Sequence, residues 1–383
     1  MPAILLYDTP FSRNALYPLT LTRPVCHLRQ GIVTTRQWWQ IQTGLPVFAI
    51  TVNYLQEKIE PAENYICVDA SVIPDAPTIE KILALRPRTS LEDERGMIAF
   101  STENIPAFGQ QPVWANSTTL VSTQLRIVRP WHLFQGNAER IRQHYGLHTS
   151  GKTTAAPSIS NTIIGNGGLF LEEGVTMDAC TINTTEGPVF IGKNTLVMEG
   201  TLIRGPVAIC EGAVIKMGTR LYGGTTIGPF CTAGGEIKNS ILMAYSNKAH
   251  DGYLGDSVVG EWCNFGAGSS NSNVKNTGGE VKMWDQQTQN FIAAGNKAGL
   301  IMGDYSRCAI NSSINTGTTI GVSCNVFDGT YPAKHLPSFS WGNFERYEFN
   351  KACSDAANWK KMKGVEFTAQ DRLILRRIWE ELM

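Results

Sequence analysis

Six histidines occur in the chain, at 27, 132, 144, 148, 250 and 335, and His250 is the one that falls inside the run of repeats. An imidazole titrates near pH 6.5, so it is the side chain best suited to take up a proton at working pH. His250 stands in the run Lys248-Ala249-His250-Asp251-Gly252-Tyr253-Leu254-Gly255-Asp256. Upstream is Glu236-Ile237-Lys238, and downstream are Asn264-Phe265-Gly266-Ala267-Gly268 and Asn273. A lysine ammonium is a point charge for a phosphate, and an amide fixes hydroxyls through its paired donor and acceptor. Lys216, in Ile215-Lys216-Met217-Gly218, is a second cation of this kind. With a single histidine in the repeats and no H-x4-H spacing, a zinc site there is not expected.

The elements that must carry these residues are announced by a six-residue beat. Ile191, Val197, Ile203, Ile209, Ile215, Leu221 and Ile227 are evenly spaced. Six matches neither the helix period of 3.6 nor the strand period of 2. It matches a hexapeptide repeat, in which each hexad is one short strand plus a corner of a parallel β-helix. The beat is re-set and resumes at Val259 and Phe265, then at Ile314, Ile320 and Val326. Residues 271–299 interrupt it with a polar run, and a loop of that length in a solenoid is usually functional or mobile.

Before the repeats the pattern is α/β. Strands are expected at 3–7, 47–52 and 65–68, and helices around 31–42 and 136–145. Residues 148–158 are small and polar and read as a linker. The expected organisation is an α/β domain over 1–150, a β-helix over 159–335, and a helical tail over 344–383. The tail is expected to cover the last open coil or a neighbouring subunit, because solenoid ends need caps.

Composition narrows the function. The 33 basic and 33 acidic residues cancel, so nucleic acid has no electrostatic footprint here. No apolar run reaches the roughly 18 residues a membrane span needs. The first ten residues lack a basic n-region and a cleavage site, so no secretory leader is expected. Nine cysteines without a C-x-x-C pair fit reduced thiols and a cytoplasmic location.

The run from Lys248 to Asp256 resembles the K-A-G-H-x-x-Y-L-G-D segment of GlmU-type enzymes, which acetylate glucosamine-1-phosphate and then uridylylate it. Asn264–Gly268 is similar to their N-x-G-A-G motif, and Glu236–Lys238 to their E-M-K. The whole chain resembles the GlmU-like family of sugar nucleotidyltransferases through three further blocks: Pro18–Val25, Leu300–Asp304 and Leu336–Gly342.

The resemblance implies a left-handed β-helix, a homotrimer, and acyl transfer from acetyl-CoA to an amino-sugar phosphate with His250 as general base. Lys216, Lys238 and Tyr253 would then bind the sugar phosphate, Asn264 the sugar, and Asn273 the acyl donor. The tyrosine that follows this asparagine in the family is Val274 here, which leaves the identity of the donor open.

For the first domain the resemblance implies a nucleotide site with Arg13, Thr20 and Arg23, further cations at Arg29 and Arg36, and Mg²⁺ on Asp69. The family's Gly-x-Gly turn is absent, and Val25 stands where it has lysine. A minimal nucleotidyltransferase and a domain that binds a sugar nucleotide without turning it over, beside a solenoid that serves as a trimerisation scaffold, both fit these residues.

Overall fold

The computed structural model describes residues 1–110, 117–120, 123–327, 331–343 and 345–381. Residues 344, 382 and 383 of the expected tail lie outside these. Contacts divide the chain into two compact units. The first is Met1–Leu16, Thr22–Leu28 and Val33–Arg129, and the second is Tyr17–Leu21, Arg29–Ile32 and Pro130–Met383.

In the first unit, the apolar run Ala3–Tyr7 is a buried inner strand of a six-stranded sheet. It pairs in parallel with Val47–Ile50 on one side and Tyr65–Asp69 on the other. Gly96–Thr102 and then Ser90–Asp93 extend the sheet antiparallel. The helix expected around 31–42 runs from Thr35 to Thr43. It starts there because the Thr34 hydroxyl accepts from the Gln37 amide while Gln37 reaches back to the Thr34 amide. Leu5, Cys67 and Phe100 are fully buried in the core beside Tyr7.

In the second unit the six-residue beat becomes a parallel β-solenoid with sheets of six, nine and ten strands. Successive hexads visit the three sheets in turn, so residues three hexads apart stack. Ile191 pairs over Ile209 and Ile227, Val197 over Ile215 and Ala233, and Ile203 over Leu221 and Ile237. All are buried and form one central column. Each such side chain contributes roughly 1.5–3 kcal/mol of apolar burial, so the repeat itself supplies the core.

The polar stretch 271–299 is not a bare loop. It starts as strand Ser270–Asn271 and then forms a hairpin, Val281–Asp285 against Asn290–Gly295. Leu300–Met302 resumes the solenoid against Val258–Val259. The helix expected at 136–145 spans Asn137–Thr149 and belongs to this unit. Its Asn137 amide donates to the Gly224 carbonyl at 2.7 Å and the Thr226 hydroxyl at 3.0 Å.

One corner of the solenoid holds a stack of aromatic residues. Phe230, Tyr245, Trp262, Tyr305 and Phe339 all have positive φ there, an unusual backbone for bulky side chains. Tyr245 lies flat on Trp262 with ring centres 4.1 Å apart, and Phe230 stacks on Tyr245 at 5.0 Å. Gly212 begins the series because a Cβ there would lie 2.5 Å from the Phe230 ring. The tail helices Phe349–Met362 and Ala369–Glu380 pack over the far end of this stack, burying Trp262, Tyr305 and Phe339 with Leu375 and Ile378. The Lys360–Asp371 ion pair at 2.6 Å fastens the two helices to each other. The tail therefore covers its own chain's solenoid along a corner.

Candidate functional site

Strand alternation decides which residues of the motif face outward. Glu236–Lys238 pairs with Tyr253–Gly255, so Ile237 and Leu254 point into the column, while Glu236, Lys238 and Tyr253 stand on the outer face of the six-stranded sheet. Arg220, one coil earlier, is level with Glu236, and its Nε lies 3.4 Å from that carboxylate. His250 occupies the exposed corner that leads into the Tyr253 strand. Lys216 lies on the same corner, with its amide bonded to the Ala233 carbonyl next to Gly234. A Cβ on Gly234 would in turn strike the backbone of Ala249 and His250.

Tyr253 is held by a small polar clamp. The Asn273 amide donates to the Tyr253 hydroxyl at 3.1 Å and also to Asp256. Asp256 is buried and accepts a second bond, from Asn239, at 2.6 Å. Burial first, and then the charges of Asp256 and Glu236, push the Tyr253 phenol up to about 12. It therefore stays protonated at neutral pH. Because its oxygen accepts from Asn273, its own proton is left to donate to a ligand.

The structure thus sets Lys238, Tyr253 and Asn273 together on the outer face of the six-stranded sheet, while His250 stands at the corner that leads into it, with Lys216 along the same corner. Asn264 is elsewhere. It lies in the ten-stranded sheet between Asn247 and Arg307, on the strand before the corner, and does not share a sheet with Tyr253 in this chain.

Lys248 and Asp256 belong to the quoted motif, but sequence reasoning gave them no role. Lys248 was legible, since Leu242, Lys248 and Leu254 keep the six-residue spacing and so place a lysine at an inward position. Burial lowers its ammonium to about 8. Between about pH 8 and the ordinary 10.5, the unfolded chain binds more protons here than the folded one, so this residue's contribution to stability rises with pH across that window. Denaturant midpoints at pH 8 and pH 10 should therefore differ more in favour of the higher pH in wild type than in Lys248→Met. Equal differences would exclude the linkage.

In the first unit a cavity of about 520 Å³ opens at the carboxyl ends of the central strands, lined by Tyr7, Asp8, Asp69, Ser71, Arg95 and Arg126 among others. Ligands of open α/β sheets bind in this position. Asp69 Oδ1 accepts from the Ser71 amide and hydroxyl at 2.9 and 2.8 Å, and burial raises its carboxyl above the ordinary range. Its second oxygen makes no bond among the described residues. One carboxylate with a spare oxygen fits a Mg²⁺ that takes its remaining ligands from water and phosphate.

The basic residues expected at the nucleotide are placed differently. Arg13 is buried, with its guanidinium on Asp8 Oδ2 and the Thr51 hydroxyl, both at 2.9 Å. Arg23 and Thr20 are buried, and neither lines the cavity. Arg36 pairs with Glu57 at 2.7 Å. Arg29 bonds the Ile32 carbonyl and approaches Cys210 Sγ at 3.6 Å. The cations at the cavity are instead Arg126, paired with Asp93 at 2.7 Å, and the exposed Arg95.

Where the family has a glycine turn, this chain has the short helix Pro10–Ala15. Its first amides are closed by a Thr9–Ser12 capping box. Nothing in the sequence pattern distinguishes Arg95, which sits in an ordinary hairpin turn.

The chain thus combines an α/β unit that has a cavity at its strand ends with a hexapeptide solenoid. Residues 4–153 match the family described as sugar nucleotidyl transferase. The chain is 30% identical to the uncharacterized acetyltransferase YaiX of Escherichia coli, over 42% of this chain and 70% of that one. It is 32% identical to the bifunctional sugar-1-phosphate nucleotidylyltransferase/acetyltransferase of Sulfurisphaera tokodaii, over 35% of this chain and 38% of that protein. Against the bifunctional protein GlmU of Synechococcus elongatus the identity is 25%, over 57% and 46%. The chain belongs to the same family as YaiX.

It spans less than half the length of the bifunctional relatives it matches. The solved polySia specific acetyltransferase NeuO aligns at 14% identity over 54% of this chain and 99% of that one. Its TM-score of 0.30 is too low for the likeness to carry weight.

Proposed function

We propose that this protein is a transferase of amino-sugar nucleotide biosynthesis whose solenoid acylates an amino-sugar phosphate, with His250 as general base. The observation that carries the reading is the outer sheet face that Lys238 and the clamped Tyr253 share, with His250 at the corner that leads into the Tyr253 strand. The amine of the sugar attacks the thioester carbonyl of acetyl-CoA, so a C–N bond forms and the C–S bond breaks. His250 takes the ammonium proton and returns it to the leaving thiolate. Lys238 and the Tyr253 hydroxyl hold the phosphate, Asn273 fixes the tyrosine as well as bordering the donor, and corner amides face the oxyanion.

Asn264 and Lys216 would complete the site in a homotrimer, where a neighbouring chain supplies the face its own fold keeps separate. A cytoplasmic location is supported by nine cysteines that are all free and buried. No helix among the described residues is long and apolar enough to cross a membrane.

The test is thiol release from acetyl-CoA with glucosamine-1-phosphate. Turnover supports the reading, and a folded protein that releases no thiol with any amino-sugar phosphate overturns it.

In the first unit the same reading gives a sugar-1-phosphate nucleotidyltransferase. Mg²⁺ on Asp69 would neutralise the nucleoside triphosphate, with Arg95 and Arg126 as the protein's cations. Asp69→Asn should then lower pyrophosphate release from UTP or dTTP by more than about 10²-fold, the scale of losing one charge-stabilising group. A smaller loss removes Asp69 from this role. One observation favours a second reading, in which this unit binds a sugar nucleotide without turnover. The capped turn and the committed Arg13 leave no amide cradle where the family has its glycines. Binding of a sugar nucleotide without pyrophosphate release in wild type would select that reading.

A further inference from the structure

Lys248 is the outlier of the solenoid interior. It is 2% exposed, and its strand places it over Ala233 in a column of mostly aliphatic, aromatic and thiol side chains, where Asn271 is another polar residue at an inward position. The pairing of Asn247 with Asn264 sets Phe265 against its other side. Among the described residues no carboxylate forms an ion pair with it. A lone ammonium in such a place costs stability. An aliphatic residue on the same beat would pack the column without that cost.

The position of the charge shows what the lysine holds. Its stem lies in the column, and Nζ emerges at the corner, donating to the His250 carbonyl at 2.9 Å and to the Gly234 carbonyl at 3.4 Å. These carbonyls belong to successive coils. Gly234 has no room for a side chain, because a Cβ would lie 2.4 Å from the Ala249 carbonyl oxygen. The corner is therefore packed tightly enough for one ammonium to bridge both coils from inside. His250 itself is exposed, and among the described residues no bond to its ring orients it. The backbone from which the imidazole projects is the part that the interior lysine can fix.

We propose that Lys248 is a positioning residue for His250: its buried ammonium ties the His250 carbonyl to the preceding coil and so sets where the imidazole stands at the corner before the Tyr253 strand. This rests on the reading of His250 as general base. The lysine touches neither sugar nor acyl donor and acts only through the corner backbone.

The experiment compares the full-length wild type with Lys248→Met, which keeps the length and the apolar packing and removes the donors. Amide hydrogen exchange at residues 249–252 should accelerate by about tenfold, the scale of one charge-assisted hydrogen bond. The Cε1–Hε1 NMR resonance of His250 should move or broaden, while exchange in the distant Ile191–Ile209 coils stays as in wild type. In the thiol-release assay kcat should fall about tenfold, with the KM for the amino-sugar phosphate changing less than about twofold, as expected of a group that acts on geometry alone.

A folded variant with unchanged corner exchange and an unchanged His250 resonance overturns the proposal. So does an equal loss in all coils, which marks a purely structural lysine. If the variant does not fold, wild type decides: slowly exchanging Nζ protons of Lys248 support the buried bridge, and fast exchange refutes it. If wild type releases no thiol, the acyl-transfer reading fails alone, because the exchange and resonance measurements still judge the tie between Lys248 and the corner.

Discussion

His250→Ala should slow thiol release from acetyl-CoA with an amino-sugar phosphate by about 10²–10⁴-fold, the range over which a positioned general base contributes. The loss should fall on kcat. Lys238 and Tyr253, which hold the phosphate in this reading, lie on strands whose pairing does not involve the imidazole. The side chain is exposed, so the solenoid should unfold at the same denaturant concentration as wild type. Raising the pH should recover part of the rate in the variant, because the amine then loses its proton to solvent. A variant with wild-type turnover, or one whose whole loss appears in KM, would remove His250 from the proton-transfer step.

Arg13→Met should destabilise the first unit by about 3–5 kcal/mol, the usual consequence of leaving one half of a buried ion pair alone. Asp8 is 1% exposed and accepts from Arg13, from the Thr51 hydroxyl at 2.6 Å and from the Val25 amide at 3.0 Å. Removing the guanidinium leaves a carboxylate surrounded only by neutral donors. The same guanidinium also bonds the Arg23 carbonyl at 3.3 Å, so three separate segments lose a common tie. Hydrogen exchange of the Ala3–Tyr7 strand reports the change, since these amides open only when the sheet does. The expectation separates a scaffold role from nucleotide binding. Unchanged exchange together with weakened nucleotide binding would return Arg13 to the ligand.

The two candidate sites differ in how much of them the chain announced. In the solenoid, outward and inward positions follow from strand alternation once the hexad is recognised. The gathering of Lys238 and Tyr253 was therefore implicit in their spacing. Asn264 shows the limit of that logic: it is close to Tyr253 in sequence, yet two corners and a strand of the nine-stranded sheet intervene, and each corner changes the sheet. In the α/β unit, the strand that ends at Asp69 was legible as an apolar run, and the cavity at its end follows from the sheet. The partners of the arginines were not legible. A guanidinium near a motif reads as a phosphate ligand until the fold reveals that a buried carboxylate lies closer.

The spacing of aliphatic residues alone determined that the second half winds into a solenoid with one imidazole at a corner, because a periodic apolar pattern can be buried in only one periodic way. Only the tertiary structure decided which charges remain available. It turned Arg13 inward to Asp8, clamped Tyr253 through Asn273 and Asp256, and set the Lys248 ammonium under His250. These outcomes depend on which groups the fold packs around each side chain, such as Thr51 against Arg13 and Gly234 against Lys248, and the energy of a charge is set by what surrounds it in space.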